Sequence, residues 1–206
     1  MYKSTLKIIA TSLAISFMFT ALFVIIIYFT CNGLVNKYSR LINTASVKLS
    51  NTNNITAYNY DTKRLINYPV YNAKFATLKF DRINVELPIY HGDSLKLLRL
   101  GIGHYAGSYF PGENGTIILA GHYTEEFFRS LYDLVLEDTI TIEANYGTFI
   151  YQIDSFRVIS EKEIDAFQIQ NAEERLIMYT CYPLDTFGRK SERYVVYAHR
   201  VGDINA

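Results

Sequence analysis

A thiol, an imidazole and a guanidinium stand at the ends of three apolar, strand-like runs in this sequence. Cys181 ends the run "RLIMYTC", His122 follows "TIILAG", and Arg193 opens "RYVVYA". A thiol attacks only as a thiolate, and a free cysteine has a pKa of about 8.5, so it needs a nearby proton acceptor or cation. These residue types therefore admit nucleophilic acyl transfer, with the arginine as a stabiliser of the oxyanion. The alternative is a small thiol packed in the core beside an unrelated histidine.

Geometry narrows the choice among the four histidines. His199 follows Arg193 by six residues on the same predicted strand, roughly 20 Å away at about 3.3 Å per residue, so the two cannot both lie beside Cys181. His91 precedes a Gly-Asp turn and His104 follows "GIG", so both are expected in loops.

His122 is the favoured candidate, and His104 stays an alternative. It ends a buried run after Gly121, a residue that lets another backbone or a ligand come close. If the strands that carry His122 and Cys181 are parallel neighbours, both side chains reach the same rim of the fold. Arg193 opens the last strand, and Arg189 in the preceding loop is a rival cation.

Short strands with turn signals make up the chain from residue 73 onward. Two helices are predicted, one in "SLKLLRLG", closed by Gly101, and one in "TEEFFRSLYDL", with Thr124 as its N-cap. Many short strands with few helices favour a mainly β fold. A small closed β-barrel fits this pattern best, and a two-sheet sandwich is the alternative.

The N-terminal part is different, because residues 8–30 contain no charged side chain. At about 1.5 Å per helical residue this segment would span roughly 34 Å, which is enough for a bilayer core. We therefore expect a short tail at 1–7, a transmembrane anchor at 8–30, a stalk and linker at 31–72 and a β domain at 73–206. Lysines flank the apolar segment on both sides, so charge alone does not set its orientation.

Composition excludes several classes of function. The formal net charge is zero and no basic stripe occurs, so no nucleic-acid partner is expected. Cys31 and Cys181 lie in segments too different for a disulfide framework. No Cys/His pairs have zinc spacing and no acidic loop has calcium-ligand spacing, so no metal or other cofactor is predicted.

The motifs "VELPIY", "PGENGT", "GTIILAGH", "TCYP" and "RYVVYAHR", in this order, resemble those of a sortase. Sortases are membrane-anchored cysteine transpeptidases of Gram-positive bacteria. Thr180 and Cys181 match the family's Thr-Leu-x-Thr-Cys signature, whereas Ile177 and Met178 depart from it. The Tyr-Pro after the cysteine and the short N-terminal region are most similar to class D, and the lid motif typical of class C does not occur.

The resemblance implies a sortase-type barrel of about eight strands with Cys181 as nucleophile, His122 as acid and base, and Arg193 as the oxyanion-stabilising residue. It implies cleavage of a Leu-Pro-x-Thr-Gly-like sorting peptide between Thr and Gly, through a thioacyl intermediate. The acceptor would be an amine of a peptidoglycan precursor, cross-bridge or stem peptide, or a pilin lysine. The implied location is the cell membrane, with a single span, the N-terminus inside and the catalytic domain on the outer face.

Four further residues are expected to contact the substrate. Thr180 would do so through its hydroxyl or a neighbouring N–H, and Ile164, Ala166 and Phe167 in "EKEIDAFQIQNA" would cover the Leu-Pro part. Ordinary loop packing is the alternative for these three. For the whole chain, the alternatives are a membrane-anchored cysteine protease, with water as acceptor, and a non-enzymatic β-barrel binding module.

Overall fold

A computed structural model describes residues 13, 15–30, 56–59, 61–182 and 190–204. The chain divides into two compact units, Met1–Ser46 and Val47–Ala206. Residues 13 and 15–30 of the first unit are helical. Within the described ranges, no helix combines the length and apolarity that a bilayer crossing needs. The predicted span over 8–30 is thus described only in part, and Cys31 and most of the predicted stalk and linker lie outside the described residues.

In the described part of the second unit, ten strands occur, and eight of them close into a barrel. Their order around the barrel is β10-β8-β7-β3-β4-β5-β6-β9, and β9 pairs back onto β10. The bounds are β1 Tyr58–Asn59, β2 Arg64–Leu65, β3 Lys74–Phe80, β4 Val85–His91, β5 Ile102–His104, β6 Thr116–Ala120, β7 Thr139–Ala144, β8 Gly147–Ser160, β9 Arg175–Tyr182 and β10 Glu192–Ile204. The predicted closed barrel of about eight strands is confirmed, and the sandwich alternative is wrong.

Two parallel pairings interrupt the otherwise antiparallel barrel. β4 pairs with β5 and β6 pairs with β9 in parallel, the latter in a register that sets Ala120 beside Tyr179. Because the carboxyl ends of parallel neighbours meet at one edge of a sheet, the residues that follow β6 and those that end β9 share a rim. The sequence argument for His122 and Cys181 required this pairing.

Alternation along the strands separates an inner from an outer face. Leu176 and Met178 of β9 belong to the main core inside the barrel. Ile177, between them, packs outside the barrel with Ile118 of β6 and Val195 of β10. Strands β6, β9 and β10 therefore carry apolar side chains on both faces, as expected of strands covered on both sides.

The helices of this unit are short. The α-helix Leu95–Leu98 matches the first predicted helix, and the N-cap Ser94 accepts a hydrogen bond from Leu97 N. The second predicted helix is instead a 3-10 helix over Phe128–Asp133, and Thr124 does not cap it. Phe127 and Phe128 are adjacent and both are buried. An amphipathic α-helix buries residues three or four positions apart, so the burial of two successive residues does not fit the predicted α-helix. Further 3-10 turns span Asp81–Ile83 and Ile164–Phe167.

His91 and His104 end strands, contrary to the expectation of loop residues. The parallel strands β4 and β5 extend far enough to pair these two histidines with each other. The His104 side chain is fully buried, and its Nε2 lies 2.9 Å from the carbonyl oxygen of Tyr109. Burial lowers the pKa of His104 to about 4, with a smaller contribution from the nearby His91, so the imidazole is neutral near pH 7.

A buried carboxylate fixes the start of β9. Glu174 accepts hydrogen bonds from the backbone N–H of Gly112 and Asn114, at 2.9 and 3.1 Å, and from the Tyr151 hydroxyl at 2.6 Å. It also pairs with the Arg200 guanidinium of β10 at 2.7 Å. A buried ion keeps its charge only where such partners surround it, so these contacts hold β8, β9 and β10 in register at the end of β9 remote from Cys181.

Candidate active site

Cys181 and Arg193 lie directly opposite each other in adjacent strands. The antiparallel register of β9 and β10 pairs Cys181 with Arg193. Side chains of paired residues project to the same side of a sheet, with their Cβ atoms about 4.5–5.5 Å apart. Cys181 is a free thiol and is half-buried. The register thus places a cation beside an accessible thiol.

The backbone before His122 is tied to β9 by two hydrogen bonds. Gly121 N–H donates to the carbonyl oxygen of Tyr179 at 3.2 Å, and the Thr180 hydroxyl donates to the carbonyl oxygen of Gly121 at 2.9 Å. The carbonyl of His122 accepts from Phe128 N–H at 3.1 Å. A Cβ at position 121 would come within 2.6 Å of the Phe128 ring, so glycine is needed for this close approach. His122 is therefore held at the rim on which β9 ends.

The alternation of side chains sends all three residues to the outer face. Cys181 follows Ile177 by four residues on β9, and Arg193 precedes Val195 by two on β10; Ile177 and Val195 both face outward. His122 continues the outward parity of Ile118 in β6, because the hydrogen bonds of Gly121 extend the β6–β9 pairing past the strand end. The structure therefore brings the predicted catalytic residues together on one face and at one rim.

The surroundings of His122 favour its neutral form. Burial lowers the pKa of His122, and the positive charge of Arg99 lowers it further. Arg99 caps the C-terminus of the short helix Leu95–Leu98 and is exposed. A neutral imidazole can take a proton from a thiol or an amine and return it later, which is the property a general acid and base requires.

Arg193 is oriented by its own neighbours. Its Nη1 donates to the carbonyl oxygens of Lys190 and Glu192, at 2.9 and 2.7 Å. Its Nη2 lies 3.2 Å from Oε2 of Glu161, and both side chains are about four-fifths buried. These contacts use part of the guanidinium fork and leave further N–H groups for a ligand, because guanidinium has five donors.

A groove of about 410 Å³ leads along the outer face toward Cys181. Ile118 and Tyr179 form its floor. Its remaining lining residues come from both walls and from the start of β10: Asp93, Tyr105, Glu161, Ile164, Phe167, Ile169 and Arg193. Arg193, which lines the groove, is the strand partner of Cys181, and Tyr179 precedes Cys181 by two residues on the same face, so the groove lies next to the thiol. An apolar floor with a few polar groups is typical of a peptide-binding site.

The residues predicted to contact substrate are placed differently from one another. Ile164 is 79% exposed in the groove, and Phe167 packs edge-on against Tyr179 with ring centroids 4.9 Å apart. Ala166 is only 8% exposed and packs in the outer apolar cluster beneath the groove wall. The Thr180 side chain is buried and committed to Gly121, so its hydroxyl does not face the groove.

Sequence reasoning missed Asp93 and Tyr105, which line the groove, and Arg99, whose charge acts on His122. Their positions depend on how the segment 92–105 folds against β6, which no local pattern reveals. Glu161 was missed as well, because its ion pair with Arg193 joins residues 32 positions apart. Among the side chains that the structure describes, no group of three His, Cys, Asp or Glu residues is placed to hold a metal ion.

The fold and this arrangement define a barrel with a cysteine, a histidine and an arginine at one rim, and comparison with known proteins gives that class a name. A family model described as "Sortase domain" matches residues 78–201, more than half of the chain. The chain belongs to the sortase family. The predicted resemblance is thereby confirmed.

Individual relatives agree with this assignment. Sortase D of Bacillus subtilis (strain 168) is 37% identical over 124 residues, which cover 60% of this chain and 62% of that protein's length. A Clostridium perfringens structure described as a Sortase D5 transpeptidase is 29% identical and has a TM-score of 0.58, covering 65% of this chain and 83% of that one. Sortase A from Corynebacterium diphtheriae is 27% identical with a TM-score of 0.58, covering 65% and 63% of the two chains. The matched region is thus shared between sortases of different classes.

Proposed function

We propose that this chain is a cysteine transpeptidase that cleaves a Leu-Pro-x-Thr-Gly-like sorting peptide between Thr and Gly and transfers the acyl part to an amine. The observation that carries the proposal is the placement of Cys181 opposite Arg193, with His122 at the end of the parallel neighbouring strand. An apolar groove leads to the thiol along the same face. Membership of the sortase family supports this activity.

In the first half-reaction, Cys181 attacks the Thr carbonyl carbon as a thiolate. A C–S bond forms, and the carbonyl oxygen becomes an oxyanion that the free N–H groups of Arg193 stabilise. The C–N bond to Gly then breaks, and His122, which holds the thiol's proton, passes it to the departing amine. The products are a Cys181 thioester and a peptide with a free amino terminus.

In the second half-reaction, an incoming amine attacks the thioester carbonyl. His122 takes a proton from the amine as the C–N bond forms, and the thiolate of Cys181 leaves. The half-buried, neutral imidazole described above suits this acceptor role. The amine would belong to a peptidoglycan precursor, cross-bridge or stem peptide, or to a pilin lysine.

The substrate contacts follow from the groove. Ile164 and Phe167 would cover the Leu-Pro part, and Ala166 would support that wall from beneath rather than contact the peptide. Thr180 would act through its backbone or through the placement of Gly121, since its hydroxyl is already bonded. Ile164 in particular leaves a large apolar surface uncovered, which a leucine side chain could bury.

The proposed location is the outer face of the cell membrane, where sorting peptides and lipid-linked acceptors meet. The support is the uncharged sequence of residues 8–30, within which the described residues are helical with exposed apolar side chains. A single span with its N-terminus inside would hold the domain at 73–206 outside.

The test is mass spectrometry on one reaction. The full chain, purified in a mild detergent, is mixed with a Leu-Pro-x-Thr-Gly peptide and an amine acceptor, and a Cys181→Ala variant serves as control. We expect a ligated product that requires both the amine and Cys181. Hydrolysis with no ligation under any acceptor amine would show a protease instead. No reaction, together with a thiol that iodoacetamide cannot label in the folded protein, would contradict both enzymatic functions.

A further inference from the structure

The charges that line the groove do not balance. Three of its lining residues carry a formal charge: Asp93, Glu161 and Arg193. Glu161 and Arg193 neutralise each other in an ion pair of 3.2 Å. Asp93 has no hydrogen bond or ion pair with any residue in the described part of the chain, and it is half-buried. The groove therefore presents one uncompensated carboxylate to whatever binds there.

The position of Asp93 along the groove is set by its neighbours. It follows Gly92 at the end of β4 and precedes the N-cap of the helix Leu95–Leu98, so it belongs to the wall opposite Ile164 and Phe167. Its negative charge is felt at the phenol of Tyr179, whose pKa is raised by burial and then by Asp93. The strand pairing gives the same placement: a Cβ on Gly103 would lie 2.9 Å from the Cα of Asp93, Gly103 pairs with Ala120, and Ala120 pairs with Tyr179. Asp93 is therefore level with Tyr179, which precedes Cys181 by two residues on β9.

This position corresponds to one residue of the substrate. An extended peptide advances about 3.3 Å per residue, so a carbonyl held at Cys181 places the preceding one or two residues beside Tyr179. In a Leu-Pro-x-Thr-Gly peptide these are the variable residue and the proline. Since proline has no charged side chain, the side chain of the variable residue is the one that the Asp93 carboxylate can attract or repel.

We propose that Asp93 is a specificity-determining residue that selects a lysine or arginine at the variable position of the sorting peptide. This inference rests on the proposed function, because it assumes that the groove holds such a peptide. A cation beside Asp93 gains an ion pair in a partly desolvated groove, whereas an acidic side chain there meets a like charge. Selection would come from both the attraction and the repulsion.

An affinity measurement tests the role of Asp93 independently of the catalytic steps. Fluorescence anisotropy would measure the affinity of the full-length Cys181→Ala chain for three labelled peptides that differ only in Lys, Gln or Glu at the variable position. We expect the Lys peptide to bind about fivefold to tenfold more tightly than the Gln peptide, and the Glu peptide more weakly than either. The preference should shrink when NaCl is raised from 0.05 to 0.5 M, because salt screens partly exposed charges.

Matched variants locate the effect. Asp93→Asn in the same background should reduce the Lys/Gln affinity ratio to within about twofold. Asp165→Asn removes the same charge from the exposed part of the opposite wall and should keep the full preference. Equal affinities for the three peptides, or a preference that survives Asp93→Asn, would overturn the inference alone. If none of the peptides binds, both the inference and the proposed substrate class are wrong.

Discussion

Arg193 lies opposite the proposed nucleophile. The direction of its guanidinium is set by the Glu161 carboxylate and by the carbonyl groups of Lys190 and Glu192, at the start of β10. A planar fork works only when its N–H groups point at the oxyanion, so the residue that orients the fork matters as much as the charge. Glu161 also begins the segment that walls the groove. It therefore links substrate binding to the placement of Arg193.

Glu161→Gln should lower kcat/KM by about tenfold, because Arg193 loses its charged anchor while the shape of the wall is kept. Glu163→Gln is the matched control, since Glu163 lies on the same segment but pairs with the exposed Arg157 at 2.7 Å. Steady-state kinetics of the two variants on one peptide would check this. Full activity in Glu161→Gln, or an equal loss in Glu163→Gln, would contradict a positioning role.

The pKa of His122 offers a second test at this scale. Burial and the charge of Arg99 both lower it, so removing the charge in Arg99→Gln should raise it toward the ordinary value. The acidic limb of the kcat/KM profile, which we assign to the His122 imidazolium, should move to higher pH in the same direction. NMR titration of the His122 ring protons, with Lys96→Gln as control on the same helix, measures the pKa directly. An unchanged or lower pKa in Arg99→Gln would show that Arg99 does not act on His122.

At the scale of elements, the site depends on how β6 and β9 are joined beyond their last regular pair. Thr180 is buried, and its hydroxyl satisfies the carbonyl of Gly121. This contact fixes the residue before His122 to the residue before Cys181. In this chain the threonine of the Thr-Cys pair thus helps to set the separation of His122 and Cys181, the two side chains that we propose to react.

Thr180→Val should destabilise the fold by about 1–2 kcal/mol, because it leaves the Gly121 carbonyl buried without its partner. It should also reduce kcat, since His122 is no longer held in place. Thr180→Ser keeps the hydroxyl and should retain most of both. Urea unfolding and single-turnover kinetics would compare the variants. If valine preserves both stability and kcat, the hydrogen bond is not what places His122.

Strands were predictable from the sequence because apolar and polar residues alternate with the period of a pleated sheet. The parallel pairing of β6 and β9 is not visible in the sequence pattern. It enters only as the condition under which His122 and Cys181 reach the same rim. Helix type was harder: in "TEEFFRSLYDL" the acids and Thr124 are typical of an α-helix start, but burial of Phe127 and Phe128 gives a 3-10 helix instead.

The groove could not be read from the sequence in the same way. Asp93, Glu161 and Arg193 are far apart along the chain, and only the closed barrel brings them to one face. Ala166 illustrates the limit within a single segment. The sequence predicts that Ile164, Ala166 and Phe167 contact the substrate, yet the 3-10 turn Ile164–Phe167 directs Ala166 inward while the other two line the groove.

For the barrel domain as a whole, the free energy of unfolding depends on pH through His104, a histidine outside the candidate active site. The pKa of buried His104 is about 4, against an ordinary value of about 6.5 in an unfolded chain. The unfolded state therefore binds the proton more readily between these values, so stability present above pH 6.5 is lost as the pH falls toward 4. His122, whose pKa is also lowered, acts in the same direction.

We expect the free energy of unfolding to fall by about 3 kcal/mol between pH 6.5 and 4 on account of His104, at about 1.4 kcal/mol per pH unit. Urea unfolding at a series of pH values would measure the slope. His104→Gln removes the titrating group, and its slope over this range should be smaller than that of the wild type. Equal slopes would show that His104 does not stay neutral in the folded barrel.

The central claim is that Cys181 carries the acyl group between the two half-reactions. Intact-mass spectrometry of the full chain, mixed with a sorting peptide and no acceptor amine, tests it most directly. We predict an adduct whose mass equals the peptide's acyl part up to Thr, located on Cys181, discharged by hydroxylamine and not formed by Cys181→Ala. Peptide cleavage without any adduct, or an adduct that persists in Cys181→Ala, would contradict the account.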